Sequence, residues 1–196
     1  MKFSISNNIL SASFNSLGAE LFSLKESISK HKYVWEGNSQ FWEKHVPILF
    51  PIIGVLKNNS FFHNHKDFKM SRHGFARDEE FEIKNKTENS VKFALFSNKI
   101  TKARFPFDFE LLIKYQLSEI TLETIFTIIN TGNETLPFSI GGHPAFALQE
   151  EFEKYSLKFE KNETLKRYLL KDDLLSNEYE KIALKNKILP LTYSLF

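Results

Sequence analysis

One region limits the fold more than any other: "FDFELLIKYQLSEITLETIFTIINTGNETLPFSIGG", residues 107–142. Its apolar residues recur at every second position, the period of a β-strand. Polar turn residues interrupt it at "SE" and again at "NTGNET". The region therefore reads as a meander of three strands. In "TLETIFTIIN" both faces are apolar, with Leu122, Phe126 and Ile128 on one and Ile125 and Ile129 on the other. That pattern predicts a strand covered on two sides.

The flanking sequence continues in the same manner. "EFEIKNKTENSVKFALFS" reads as two arms around a polar turn, and "KFSISNN", "AELFSLKE" and "KYVWEG" as further short strands. "FHNHKDFKM" reads as a hairpin with Asn64, Lys66 and Asp67 at its turn. One segment, "NKITKARFP", fits a short helical turn ending before Pro106. Phenylalanine occurs 21 times, and aromatic residues in short segments favour sheet. Turn signals about every ten residues point to a sandwich or barrel. The expectation is one all-β domain over residues 1–196. "NKILPLTYSLF" is still apolar and strand-like at Phe196, where a polar, frayed segment is usual. This predicts a fold that is C-terminally incomplete.

Charge and composition exclude several classes. The 26 basic and 24 acidic residues are interspersed, for a net charge of +2, so no basic face for nucleic acid stands out. There is no cysteine, which removes disulfides and thiolate metal sites. No run approaches the roughly 18 apolar residues of a membrane helix. The N-terminal "MKFSISNNILSASF" lacks the apolar core of a signal peptide. The expected location is cytoplasmic, with a small molecule as partner and neither nucleic acid nor membrane; oligomeric state has no signature here.

Six histidines carry the candidate chemistry. His31 lies among charges in "SKHKY", and His45 in "EKHVP" has no partner nearby in sequence. His63 and His65 form an H-x-H pair, which on a strand would share a face and could ligate a metal. A cupin-like site would also need a glutamate a few residues on, and none occurs before Glu79. The expectation is two solvated hairpin residues and no metal. His73 lies in "MSRHGFARDEEF", where Gly74 allows positive φ or close approach of a ligand. His143 lies in "SIGGHPAFAL". Gly141 and Gly142 remove bulk beside its ring, Pro144 fixes the strand exit, and Phe138 and Phe146 offer an apolar wall. A histidine held this way suits general acid–base work; the plain alternative is a core histidine bonded to a carbonyl.

Taken together, "YVWEGNSQFWEKHVPILFPIIG", "HGFARD" and "SIGGHPAF" resemble blocks of the aldose 1-epimerases, in the branch of the LacX proteins and hexose-phosphate mutarotases. The resemblance runs from about Leu17 to Phe146. It implies the galactose mutarotase-like β-supersandwich and interconversion of the α and β anomers of an aldose or aldose phosphate, without metal or redox cofactor. It implies that His143 is the general acid and that His73 hydrogen-bonds the sugar near its ring oxygen. Arg77, Lys57 and Phe146 are the matching candidates for substrate binding. Two departures stand out. The family's arginine after the "PIIG" glycine is Val55 here, with Lys57 and Arg72 the nearest cations. The family's catalytic glutamate belongs to a C-terminal block for which this chain offers no counterpart; Glu178 and Glu180 in "SNEYEK" lack its aromatic, glycine-containing context. Three readings follow: a mutarotase, a sugar-binding protein of the same fold without the base, and a metal-dependent enzyme using His63 and His65. Anomer exchange, binding without turnover, and stoichiometric metal separate them.

Overall fold

Alternation in the sequence becomes two facing sheets in the computed structural model, which describes residues 1–195. The chain divides into two units, Met1–Ala147 and Leu148–Phe196. In the first unit, β1 (Lys2–Ser6), β2 (Leu10–Asn15) and β3 (Glu20–Glu26) form an antiparallel sheet in that order. Two short pieces follow: β4 (Ile48–Leu49) and a hairpin of β5 (Ser60–His63) and β6 (Lys66–Lys69). The second large sheet holds β7 (Glu82–Lys86), β8 (Ser90–Phe96), β9 (Phe109–Ser118) and β10 (Thr121–Asn130), each pairing with the next. Between β8 and β9 lies α1 (Lys99–Lys102). Asn98 starts it by accepting from the Ile100 and Thr101 amides, while the Thr101 hydroxyl accepts from the Asn98 amide, a capping box in form. The last element, β11 (Gly141–Gly142), pairs with β4.

The core lies between the two large sheets. In β2, Leu10, Ala12 and Phe14 are buried while the intervening Ser11, Ser13 and Asn15 are half-buried. In β9, Phe109, Leu111, Ile113, Tyr115 and Leu117 point inward. Rings meet across the gap: Phe14 lies 4.6 Å from Tyr115 and 6.0 Å from Phe93. This is face-to-face sheet packing, and each such side chain contributes about 1.5–3 kcal/mol by burial. The Tyr115 hydroxyl donates to the Ala19 carbonyl at 3.0 Å. Burial, then the Glu20 carboxylate, raises the pKa of the phenol, which keeps it a donor.

The structure differs from the sequence expectations in four places. First, β10 is covered on one face. Leu122, Phe126 and Ile128 pack on the core, whereas Ile125 and Ile129 are each 39% exposed. The strand ends its sheet, and these two residues lie on its more exposed face. Second, "LPFSIGG" does not extend the meander. Asn130 turns the chain away with its side chain: Nδ2 donates to the Glu134 carbonyl and Oδ1 accepts from the Gly132 backbone N–H. Third, the hairpin turns at Asn64–His65, both with positive φ (46° and 61°), as a two-residue primed turn requires. His63 ends a strand while His65 occupies the turn, so the pair does not share a strand face. Fourth, "KYVWEG" forms isolated bridges, Lys25 with Lys32 and Val34 with Phe146, in place of a strand.

The second unit is built of paired strands: β12 (Ser156–Lys158) with β15 (Ile188–Pro190), and β13 (Thr164–Lys171) with β14 (Leu174–Ala183). Arg167 pairs with Glu180 across the longer hairpin and donates to the Ser194 carbonyl at 3.0 Å. The "NKILPLTYSLF" segment yields β15 and then a single 3-10 turn, Tyr193–Leu195. Among the described residues, no helix is long and apolar enough to cross a membrane.

Candidate active site

The segment carrying His143 is a strand in all but name. Antiparallel bonds run Ser139 N–H to Pro51 O (2.8 Å), His143 N–H to Pro47 O (3.0 Å) and Ala145 N–H to His45 O (2.9 Å). Gly141 and Gly142 pair with Leu49 and Ile48 between them. Pro144 falls between two bonded positions, where its missing N–H costs no ladder bond. A Cβ at Gly141 would press on Ile53 at 3.2 Å, whereas one at Gly142 would meet nothing within 4 Å. Gly142 thus leaves open space beside the exposed His143.

His73 is held by a different device. Its backbone N–H donates to the Gly54 carbonyl at 2.8 Å, and the Gly54 N–H donates to its Nδ1 at 3.0 Å. Both residues are in the left-handed region, at φ +67° and +85°. Gly74 follows at φ +75°, where a Cβ would lie 2.2 Å from the Phe50 carbonyl oxygen. Only glycine fits this approach. Phe75 then anchors the loop in the core with no exposed surface, and its amide donates to the Phe50 carbonyl at 2.9 Å.

These two segments, 70 residues apart in sequence, bring the His73 and His143 rings to 5.9 Å between centroids. Because Nδ1 of His73 accepts a bond, its proton sits on Nε2, which remains a donor. Burial first, then the charges of Arg77, His143 and Arg72, lower its pKa below the ordinary 6.5. At neutral pH His73 is an uncharged hydrogen-bond donor.

The remaining predicted residues are placed unevenly. Arg77 lies close enough to act on His73, but its guanidinium also serves the loop: Nη2 donates to the Arg72 carbonyl at 2.9 Å and Nε lies 3.6 Å from Asp78. Lys57 is exposed in the Lys57–Asn59 turn, three residues past Gly54. Phe146 is 68% exposed, three residues past His143. His63 meets Glu134 at 3.0 Å and its ring lies 4.6 Å from that of Phe107, tilted by 52°; this acidic partner lies 71 positions away, beyond the reach of motif spacing. Sequence reasoning also passed over Trp42, whose ring lies 5.2 Å from His143, and the Gly54 amide. Both lie inside the quoted "YVWEGNSQFWEKHVPILFPIIG" block, where an aromatic beside a polar run was the available signal.

An aromatic-rich β-sandwich that joins "HGFARD" to "GGHPAF" in one place defines a class, and comparison bears it out. Residues 1–180 match the family described as Aldose 1-epimerase, and the chain belongs to that family. It is 34% identical over 209 residues to Protein LacX, chromosomal, of Lactococcus lactis subsp. lactis, covering 100% of this chain and 70% of that protein. Its fold is that of a galactose mutarotase-like protein from Lactobacillus casei, with a TM-score of 0.94, 33% identity, and 100% of this chain against 69% of the other covered. A galactose mutarotase related enzyme from Lactobacillus acidophilus superposes with a TM-score of 0.93 at 34% identity, over 98% of this chain. The match spans 65% of that enzyme's length.

Proposed function

We propose that this protein acts on the anomeric centre of an aldose or aldose phosphate, as an aldose 1-epimerase. The observation that carries the reading is the meeting of two imidazoles, 5.9 Å apart, from the two histidine motifs. Mutarotation needs a proton delivered to the ring oxygen while the anomeric hydroxyl loses one. The bond from the anomeric carbon to the ring oxygen then breaks. The aldehyde turns about its bond to the next carbon, and the ring recloses on the other face. An exposed His143 beside open space suits proton delivery to the ring oxygen. His73, neutral and with Nε2 carrying the proton, suits a hydrogen bond to the same oxygen region. No carboxylate is among the charges that shift His73, and we assign the base role to none of the described residues.

That last point favours a second reading, a sugar-binding protein of the same fold. Two measurements on the 196-residue chain separate the readings: calorimetric titration with D-galactose and D-glucose 6-phosphate, and polarimetry on freshly dissolved α-glucose or α-galactose. Binding with faster anomer exchange supports the enzyme. Binding without acceleration supports the second reading, and no binding overturns both. Where exchange is accelerated, His143→Ala lowers kcat by roughly 10²–10⁴-fold, the range for losing a positioned acid–base group. His73→Ala changes kcat and KM together, because it orients the sugar as well as easing charge.

A further inference from the structure

Trp42 is half-buried, and its ring stands 5.2 Å from that of His143 at an interplanar angle of 58°. Two side chains tie down the backbone beneath it. The Trp35 indole Nε1–H donates to the Trp42 carbonyl at 2.9 Å. Three residues on, the Glu20 carboxylate accepts from the His45 amide at 2.7 Å. That carboxylate is only 13% exposed, an expensive place for a charge unless it holds something. The His45 ring lies 3.7 Å from the same oxygen. Gly37 packs against that ring so closely that a Cβ there would lie 2.4 Å from Nε2. The tied segment then becomes the partner of the His143 strand, through the His45 and Pro47 carbonyls. Trp42 therefore lies three residues before the segment that holds His143 in its ladder.

A pyranose presents hydroxyls at its rim and C–H bonds on its face, and an indole is the largest flat apolar surface a side chain offers. We propose that Trp42 contacts the sugar: its ring is a wall beside His143 on which the C–H face of a pyranose packs, and Glu20 and Trp35 are positioning residues that hold it there. This rests on the sugar-binding reading of the histidine pair.

The chain has two tryptophans, Trp35 and Trp42, which gives the test a spectroscopic handle. The probes are D-galactose and D-glucose 6-phosphate, followed by calorimetry and by indole emission. Trp42→Ala weakens binding of the probe by about tenfold, while Trp42→Phe, which keeps a ring, stays within about threefold of the parent. Adding sugar changes the emission of the parent and of Glu20→Gln. It leaves Trp42→Phe unchanged, since its remaining indole is Trp35. Glu20→Gln preserves an acceptor for the His45 amide and binds as the parent does; Glu20→Ala loses it and weakens binding. Thermal midpoints identify any variant that fails to fold, and Trp35→Phe then replaces Glu20→Ala as the loss of one tie. Parent-like affinity in Trp42→Ala, or a sugar-dependent emission change in Trp42→Phe, overturns the proposal and leaves the histidine reading standing. A parent that binds neither probe overturns that reading and this one with it.

Discussion

The two units of this chain are built from ladders of similar length and differ in what lies beneath them. In residues 1–147, the ten-residue strands β9 and β10 pair over their full extent, and β9 buries five residues in a core of packed rings. In residues 148–195, β13 and β14 pair almost as far, yet Leu184 is the one buried residue among those described. Leu170, Leu175 and Tyr168 on that hairpin are 64%, 76% and 48% exposed. Backbone pairing is thus nearly equal while apolar burial is not. A two-stranded ribbon alone is marginal in water, because net hydrogen-bond energies are small against the entropy of ordering the chain. Stability, and with it the fixed geometry of the histidine site, belongs to the first unit.

The largest test of this difference removes one apolar side chain from each unit. Phe50 has no exposed surface and its ring meets those of Phe75, Phe105 and Phe109. Phe50→Ala costs about 3–5 kcal/mol and loosens the His73 segment, since the Phe50 carbonyl accepts from the Phe75 and Ala76 amides. Leu175→Ala stays within about 0.5 kcal/mol. Urea unfolding followed by near-ultraviolet circular dichroism measures both. Equal losses would break the comparison.

A smaller effect separates two glycines inside the first unit. At Gly74 a methyl group meets the Phe50 carbonyl at 2.2 Å and φ is +75°; Gly74→Ala costs about 1–3 kcal/mol in backbone strain and displaces His73. At Gly142 a methyl group meets nothing, and Gly142→Ala leaves the unfolding midpoint within about 0.5 kcal/mol of the parent. Similar midpoints for the two variants would show that the His73 loop is free to yield.

Much of this was legible in sequence, for physical reasons that also mark its limit. Strand β9 announced itself because inward residues at every second position must be apolar. His73 and His143 stood out because glycines flank each in sequence, and the structure requires glycine at Gly74 but leaves room for a side chain at Gly142. The third arm of the meander was misplaced because Gly141 and Gly142 choose Ile48 and Leu49 as partners, a long-range pairing with no local signature. The turn of the hairpin was placed too late because His65 accepts a left-handed turn position, which histidine tolerates better than most residues. The bond from Glu20 to the His45 amide left no trace, since any residue supplies that N–H.

The smallest expected effect concerns pH, and it distinguishes the units by composition. All six histidines lie within residues 1–147, so imidazole titration acts on the first unit alone. For His73 the folded pKa is lowered, by burial first and then by Arg77, His143 and Arg72. Above the ordinary 6.5 of the unfolded chain, both states are neutral and the stability is fully present. As pH falls below that value, the unfolded chain takes up a proton that the folded imidazole resists, so stability declines until the lower folded pKa is passed. The thermal midpoint of the first unit therefore falls modestly on going from pH 7.5 toward pH 5. His73→Asn keeps an acceptor near the Gly54 amide, tolerates positive φ, and does not titrate. It flattens part of that slope, while amide exchange in the β13–β14 hairpin, corrected for its intrinsic pH dependence, shows no step in the same range. A slope unchanged in His73→Asn would assign the acid sensitivity to another group and remove His73 from the account.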